Sequence, residues 1–260
     1  MNETILFTKT EGIARIVLNR PKSFNSFNRE MAFAVQAALK DCQEDGTVRV
    51  VVITGEGKAF CAGQDLVEVT SGELRPGFRA ILEEHYNPII LAIRNLNKPV
   101  VAAVNGVAAG AGANIALACD IVVASEAASF IQAFSGIGLI PDSGGTFFLP
   151  RLIGFQKAMA IAMLGDKISA VEAENMGMIY KSVPAEAFEE YIQTLSVRLA
   201  GMPTYGLALT KKAFQEGMEN TLEEQLEVES RLQISASESA DYHEGVAAFI
   251  EKRKPVFQGK

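Results

Sequence analysis

The sequence predicts an α/β fold followed by an α-helical C-terminal segment. Two observations carry this prediction: β-branched runs alternate with helical stretches in the first part of the chain, and the pattern from Glu186 onwards is helical throughout. We therefore expect a β/α core at residues 1–200 and a helical region at residues 201–260. The 260 residues, of which 48% are apolar and 21% charged, suffice for one large domain with its own core.

In the first hundred residues, strands are predicted where β-branched residues cluster between turn residues, at 5–7, 13–18, 48–54 and 99–104. Helices are predicted where apolar residues recur at helical spacing, at 28–43 and 72–95. Asn28 is a favoured residue at a helix N-terminus. The run 48–54 is typical of a buried parallel strand, because almost every residue in it is β-branched.

In the remaining chain the same criteria predict strands at 121–124, 130–134 and 179–183. They predict helices at 111–117, 146–154, 156–164, 170–176, 188–199, 205–219, 223–236 and 241–253. Residues 100–119 carry no charge and have the length of a membrane span, but they include Asn105, Asn114 and three glycines. We interpret this run as a buried strand followed by a buried helix, and we expect no membrane association.

The composition restricts the classes of function. A net charge of −7 and an isoelectric point near 5.1 argue against nucleic acid as a partner. Two histidines are too few for a histidine-based metal site, so no metal is expected. The three cysteines are odd in number and lack metal-type spacing, which indicates a reducing compartment. The N-terminus has no basic region followed by an apolar run, and we expect a cytoplasmic protein.

Two glycine-containing loops follow predicted strands. Neither has the spacing of a nucleotide-binding motif, since residues 55–58 do not form a P-loop and residues 110–115 lack the third glycine of a dinucleotide fingerprint. A strand that ends at Ala62 and Gly63 leaves the next N–H, that of Gln64, free, and the helix that begins near Ala111 leaves its first N–H groups unpaired. Two such groups at one point would stabilise an oxyanion. The alternative is that both are ordinary strand-to-loop turns.

Asp142 is the only charged residue between Ala127 and Pro150. A carboxylate among apolar residues is costly unless it is paired or used in chemistry. Asp is also a preferred N-cap residue, and Asp142 precedes the helix predicted from Thr146. From this stretch alone, Asp142 is either a functional acid or a helix cap.

Four blocks carry a resemblance, at residues 60–66, 105–113, 137–146 and 249–253. In order and spacing they resemble the crotonase (enoyl-CoA hydratase/isomerase) superfamily, over essentially the whole chain. The resemblance implies a spiral of ββα units, a C-terminal helical trimerisation region, and trimers often paired into hexamers. It also implies an acyl-CoA substrate whose thioester carbonyl lies between the N–H groups of Gln64 and Ala111. The substrate itself carries the coenzyme A, so no separate cofactor is expected.

The same resemblance implies contacts to coenzyme A at Lys22, Phe24, Ala62, Asp65 and Leu66. Phe249 and Lys252 match positions that reach the coenzyme A of a neighbouring subunit. The two lysines would supply positive charge to the phosphates of the ligand, unless they are ordinary solvated lysines. Asp65 has the further alternative of bracing its own loop rather than contacting the ligand.

The hydratases of this superfamily use two glutamates, one for each proton transfer in the addition of water. The matching positions here are Asn114 and Phe134, and neither side chain can transfer a proton. Asp142 then remains as the single acid/base, which suffices for an isomerase. Asn114 either bonds to substrate or closes the pocket wall, and Phe134 either lines an aromatic-ring pocket or is a core residue. Gly110 is also expected in the substrate pocket.

Residues 86–88, 133–135, 239–246 and 252–260 resemble one branch of the superfamily more closely, the ring-1,2-epoxyphenylacetyl-CoA isomerases of phenylacetate catabolism. This implies conversion of a ring epoxide to an oxepin, or a double-bond shift from 3-enoyl-CoA to 2-enoyl-CoA. The alternatives are a 2-enoyl-CoA hydratase that uses Asp142 alone and a non-catalytic binding protein of the same fold. Dehalogenation is disfavoured, because Asn87 and Phe134 stand where that reaction needs His and Trp.

Overall fold

The computed structural model describes residues 4–70 and 77–260. Within them the strands are β1 Ile5–Thr10, β2 Ile13–Leu18, β3 Val50–Gly55, β4 Ala59–Cys61, β5 Val100–Val104, β6 Val107–Ala109, β7 Ile121–Ser125, β8 Ser129–Ile131, β9 Lys167–Ser169 and β10 Lys181–Val183. The helices up to the middle of the chain are α1 Arg29–Glu44, α2 Leu66–Thr70, α3 Phe78–Ala80, α4 Asn87–Asn95 and α5 Ala111–Ala118. Those that follow are α6 Gly145–Ile153, α7 Phe155–Leu164, α8 Ala170–Asn175, α9 Phe188–Ala200, α10 Thr204–Glu216, α11 Leu222–Ser237 and α12 Ala240–Glu251.

The strands form two sheets. The larger has the order β1-β2-β3-β5-β7-β10, and the smaller has the order β4-β6-β8-β9. Three successive stretches of chain each give one strand to the larger sheet, one to the smaller sheet and then helix: β3–β4–α2, β5–β6–α5 and β7–β8–α6. Pairing is parallel between these repeats and antiparallel only at the edges, in β1–β2 and β8–β9. The expected ββα spiral is therefore present.

The central strands β3 and β5 of the larger sheet are buried on both faces, which explains the near-continuous apolar runs that predicted them. Alternate residues of its central strands point to opposite sides. Val50, Val52 and Val101 pack against α9, whereas Val51 and Ile53 join the main core under α1, α4 and α5. The prediction of a buried parallel strand at 48–54 is confirmed, and the sheet provides the rigid base on which the loops after β4 and β6 stand.

The uncharged run 100–119 consists of β5, β6 and α5, and every residue of α5 is buried. The prediction of a buried strand and a buried helix is confirmed, with one further short strand between them. Across residues 4–70 and 77–260, no helix combines the length and the apolar character needed to cross a membrane.

Several predicted boundaries are wrong. The strand expected at 130–134 ends at Ile131, because β8 pairs with its neighbours over only three residues and Phe134 has helical dihedral angles (φ −66°, ψ −43°). β6 and β9 were not predicted. The helix expected at 72–95 is helical from Phe78, with a wide π-helical segment at Ile81–Tyr86, and its residues 72–76 lie outside the described part of the chain. The four C-terminal helices are confirmed as α9 to α12.

Candidate active site

The loop after β4 presents a backbone N–H without a protein acceptor. The N–H of Phe27 donates to the carbonyl of Gly63 over 2.7 Å, and the N–H of Asp65 donates to the carbonyl of Phe27 over 2.8 Å. Gln64 lies between these two bonds, and its own N–H has no recorded partner among the described residues. Gly63 has a φ of +89°, a conformation that glycine adopts without strain. The sequence thus builds a turn that leaves one amide free.

The first turn of α5 lies against this loop. A β-carbon on Gly63 would lie 3.5 Å from the nitrogen of Ala111, and a β-carbon on Gly112 would lie 2.4 Å from the carbonyl oxygen of Cys61. At position 112 only glycine permits such a close approach of two backbones. Within the described chain the N–H of Ala111, the first of the helix, has no recorded acceptor either. The two predicted amides are therefore carried by loops in direct contact, and such a pair can stabilise a developing oxyanion.

The side chain of Gln64 is fixed by its neighbours. The hydroxyl of Tyr86 donates to its Oε1 over 3.0 Å, and its Nε2 donates to Oε2 of Glu68 over 3.0 Å. Burial raises the pKa of the Tyr86 phenol well above its usual value, and the nearby Asp142 carboxylate acts in the same direction. The phenol therefore stays protonated and can act as a donor. From the sequence, Tyr86 is part of the segment 86–88 that resembles the isomerase branch of the superfamily, but no role is predicted for it.

Asp142 is half-buried in the loop before α6, and no basic side chain pairs with it in the described chain. Burial raises the pKa of its carboxyl group, and a hydrogen bond of 2.8 Å from the Ser143 hydroxyl to Oδ1 partly opposes that rise. A raised pKa makes a carboxylate a stronger base. The carboxylate can therefore accept and return a proton.

The interpretation of Asp142 as a helix cap is wrong. α6 begins at Gly145, one residue before the expected start, and its N-cap position is Gly144 with no side-chain capping bond. Asp142 contributes only its main-chain carbonyl, which accepts a 2.8 Å hydrogen bond from the N–H of Gly145. The carboxylate is left available because the turn, not a side chain, starts the helix.

Asn114 is completely buried, and the protein uses both polar atoms of its amide. Nδ2 donates to the carbonyl oxygen of Asp142 over 2.8 Å, and Oδ1 accepts a 2.8 Å hydrogen bond from Nε2 of Gln132. Of the two interpretations left open for Asn114, this favours the pocket wall over direct contact with substrate. Gln132 was missed from the sequence, because a single glutamine after a short strand carries no pattern.

Phe134 is 6% exposed, and its ring tip would lie 3.8 Å from a β-carbon on Gly110. Gly110 itself has a φ of +53° and stands at the N-cap position of α5. Phe134 and Gly110 are thus neighbours next to the backbone N–H of Ala111. This placement fits both interpretations of Phe134, the wall of a ring pocket and a core residue.

The residues expected to hold coenzyme A fall into two groups. Lys22, Phe24, Ala62 and Leu66 are exposed, and the N–H of Ala62 donates to the carbonyl of Phe24 over 2.9 Å, which joins their two segments. Phe249 is 85% exposed on α12 and Lys252 ends that helix; no recorded hydrogen bond in the described chain joins either to the Gln64 loop.

Asp65 braces its loop, which was the alternative to ligand contact. Its Oδ2 accepts a 2.7 Å hydrogen bond from the Arg20 guanidinium, and its Oδ1 accepts one of 3.0 Å from the N–H of Val67. These bonds hold the loop that carries Gln64 against the segment that carries Lys22.

The thiol of Cys61, next to the candidate site, is held in its neutral form. Burial raises the pKa of the Cys61 thiol to about 12, and the side chain packs against Gly112. Cys61 is therefore a small packing residue. Residues 4–70 and 77–260 contain no group of three or more His, Cys, Asp or Glu side chains placed to hold a metal ion.

Comparison with known proteins extends over the whole chain. The family model described as enoyl-CoA hydratase/isomerase matches residues 8–260. The 1,2-epoxyphenylacetyl-CoA isomerase of Escherichia coli (strain K12) is 46% identical over 262 residues, covering 100% of both chains. A protein of Rhodobacter capsulatus named "Probable enoyl-CoA hydratase" is 46% identical, covering 99% of this chain and 98% of its own. The crystal structure of an enoyl-CoA hydratase from Bacillus anthracis superposes with a TM-score of 0.91 at 33% identity, covering 99% and 100% of the two chains.

Proposed function

The chain belongs to the enoyl-CoA hydratase/isomerase family, and on that premise we propose that it is a CoA-thioester isomerase with Asp142 as its single acid/base. One observation carries the proposal. Asp142 is a half-buried carboxylate without a basic partner among the residues that the structure describes, while Asn114 and Phe134 offer no second group that transfers protons. Addition of water needs a base for the water and an acid for the α-carbon, whereas an isomerisation needs one group that takes and returns a proton.

The proposed reaction for a 3-enoyl-CoA balances with this single group. The Asp142 carboxylate removes a proton from the carbon between the double bond and the thioester. The electron pair moves into the thioester carbonyl, whose oxygen accepts hydrogen bonds from the N–H groups of Gln64 and Ala111. The protonated Asp142 then delivers its proton to the far carbon of the dienolate. The double bond moves one position, and Asp142 is again a carboxylate.

Coenzyme A is proposed to bind along the exposed segments that carry Lys22, Phe24, Ala62 and Leu66, with Asp65 bracing the loop. The two lysines Lys22 and Lys252 offer positive charge to phosphates on a chain whose net charge is −7. Phe249 and Lys252 are proposed to complete the site of a neighbouring subunit, in a trimer or hexamer located in the cytoplasm. The exposure of both residues on α12 supports this assignment.

The proposed substrates are ring-1,2-epoxyphenylacetyl-CoA, converted to the oxepin, and 3-enoyl-CoA esters, converted to 2-enoyl-CoA. The E. coli relative at 46% identity is named for the first of these. The conversion of an epoxide to an oxepin is an isomerisation in which no atom is gained or lost. Phe134 beside Gly110 supplies an aromatic wall for the ring of the acyl group.

A second candidate is a 2-enoyl-CoA hydratase that uses Asp142 alone. The name of the Rhodobacter relative favours it, because that protein is as similar to this chain as the isomerase is. Under this alternative Asp142 would have to remove a proton from the water and then deliver a proton to the α-carbon.

A panel of CoA esters with product identification by mass spectrometry and NMR tests the proposal. The panel contains ring-1,2-epoxyphenylacetyl-CoA, 3-hexenoyl-CoA and crotonyl-CoA. We expect products of unchanged mass from the first two, and hydration of crotonyl-CoA that is slower by about 100-fold or more, since one of two proton-transfer groups is missing. Hydration of crotonyl-CoA as fast as isomerisation would contradict the proposal and support the hydratase.

A further inference from the structure

We propose that Gln132 and Asn114 form an amide relay that positions Asp142 for proton transfer. The inference rests on the proposed function, because it assigns the support of the same acid/base. In the described part of the chain, neither Gln132 nor Asn114 has a recorded hydrogen bond to the Asp142 carboxylate or to the free N–H groups of Gln64 and Ala111, so both are positioning residues.

The relay runs through three elements of the fold. Gln132 directly follows β8, Asn114 lies one turn after Ala111 on α5, and Asp142 precedes α6. Nε2 of Gln132 donates to Oδ1 of Asn114, and Nδ2 of Asn114 donates to the main-chain oxygen of Asp142, each over 2.8 Å. The two amides are 2% and 0% exposed. The helix that carries the proposed oxyanion donor is thereby tied to the loop that carries the base.

The direction of the hydrogen bonds fixes which residues can form the relay. A main-chain oxygen can only accept, so Asn114 must turn Nδ2 towards Asp142 and Oδ1 towards Gln132. Gln132 must then present its Nε2. An ionised carboxylate at position 114 would place acceptor against acceptor in a buried position, which is unfavourable. The hydrogen bond from Asn114 to the Asp142 carbonyl therefore has two effects. It supports the loop that carries Asp142, and it excludes a second ionised acid from position 114.

The segment held by the relay is strained. Ser143, which is not a glycine, has a φ of +50°, and Gly144 follows with a φ of +77°. For serine such a conformation is unfavourable, because its β-carbon crowds the backbone, and it persists only where the surroundings enforce it. Asn114 and the N–H of Gly145 both bond to the carbonyl of Asp142, directly before the strained residue.

Two features indicate that the relay is not present for stability alone. Gly145 has no β-carbon, and one would lie 2.4 Å from Nδ2 of Asn114. Oε1 of Gln132 is buried without a protein partner in the described chain, which is an energetic cost that an apolar residue would avoid. The buried, unpaired Oε1 is therefore an energetic cost that accompanies the hydrogen bond from Nε2 of Gln132 to Asn114.

The test is a double-mutant cycle with Gln132→Met and Asn114→Leu, each of which keeps a side chain of similar length and removes the amide. Misplacement of the base lowers kcat for 3-hexenoyl-CoA by about 10- to 100-fold in each single variant, with KM changed little. The double variant should be no slower than the slower single one, because both changes break one chain of bonds. Gln215→Met is the matched control, since Gln215 ties α10 to the carbonyl of Arg94 far along the chain from this loop. It should leave kcat unchanged.

Asn114→Asp separates positioning from packing. A neutral Asp at this position can donate its O–H to Asp142 and accept from Gln132, and burial favours the neutral form. Its kcat relative to the unmodified protein should therefore fall as the pH rises and the new carboxyl ionises. A pH-independent ratio, or additive losses in the double-mutant cycle, would overturn the relay. Loss of activity in Asp142→Asn, run in the same assay, reports on the proposed function separately from the relay.

Discussion

The hydroxyl of Tyr86 donates a hydrogen bond over 3.0 Å to Oε1 of Gln64, the residue whose backbone N–H is proposed to hold the substrate oxyanion. Tyr86 is 1% exposed and its ring also packs on Phe27, with 5.7 Å between the ring centroids. Phe27 in turn accepts and donates the two backbone bonds that flank Gln64. A buried tyrosine therefore holds the side chain of the residue whose backbone N–H is free, and packs on the phenylalanine that bonds to the backbone on either side of it.

Tyr86→Phe should lower kcat/KM for 3-hexenoyl-CoA by about 5- to 30-fold. The lost hydrogen bond frees the side chain of Gln64, and the backbone N–H of the same residue is then held less firmly in place. The measurement is steady-state kinetics with the purified variant. Tyr205→Phe, which removes the same hydroxyl from an exposed position on α10, is the control and should behave like the unmodified protein. Equal rates for both variants would show that the Tyr86 bond does not support the site.

The pH dependence of kcat/KM should depend on Ser143. Burial raises the pKa of Asp142 and the Ser143 hydroxyl lowers it, because that bond stabilises the ionised form. The base form of Asp142 is needed, so activity should rise with pH through a pKa above the usual aspartate range. Ser143→Ala removes the bond and should therefore move this rise in kcat/KM, the acidic limb of the pH profile, to higher pH.

Ser143→Gly serves as the second variant in that experiment, because it removes the hydroxyl and also relieves the positive φ. Both variants should shift the limb in the same direction. A limb that stays in place, or that moves to lower pH, would be incompatible with a hydrogen bond from Ser143 to the catalytic carboxylate.

Gly112→Ala should damage the site and the fold together. Its β-carbon would lie 2.4 Å from the carbonyl oxygen of Cys61, and this contact can be relieved only by moving α5 away from β4. We expect destabilisation of about 1–3 kcal/mol in urea unfolding and a loss of isomerase activity under folding conditions. Gly46→Ala has open space around its β-carbon and should leave both quantities unchanged. A fully active Gly112→Ala variant would contradict the close approach of the two loops.

Asp241→Ala should release the C-terminal tail. The Asp241 carboxylate is 3% exposed and accepts the N–H groups of Gln258 and Gly259 over 2.6 Å and 2.8 Å. Its loss leaves two donors unpaired, at a cost of about 1–3 kcal/mol in unfolding free energy, and should open the tail to limited proteolysis. Asp166→Ala, at an exposed loop, is expected to change neither. Protection of the tail in both variants would show that Asp241 is not its anchor.

Much of this architecture could be predicted from the sequence, since it depends on local signals. The β-branched runs that became β3 and β5 are buried on both faces, and the C-terminal helices have regular apolar spacing. β6 and β9 could not be predicted, because three residues are too few to show alternation and their pairing is set by distant strands. The end of β8 was misplaced for the same reason.

In the candidate site, too, the residues with a local sequence signal were predicted and those that depend on a distant contact were not. Gln64, Ala111 and Asp142 stood out because glycine turns and an isolated charge are visible in one stretch of sequence. Gln132 did not, because its importance depends on a contact with Asn114, which is 18 residues away. The capping interpretation of Asp142 failed because two residues of positive φ, rather than a side chain, start α6.

The most direct test of the central claim is the rate at which Asp142→Asn converts 3-hexenoyl-CoA to 2-hexenoyl-CoA, with binding of the CoA ester measured by calorimetry. Asn keeps the shape and cannot transfer the proton, so the account predicts a loss in kcat of about 10²- to 10⁴-fold with binding preserved. Turnover within a few-fold of the unmodified protein would contradict the assignment of Asp142 as the single acid/base.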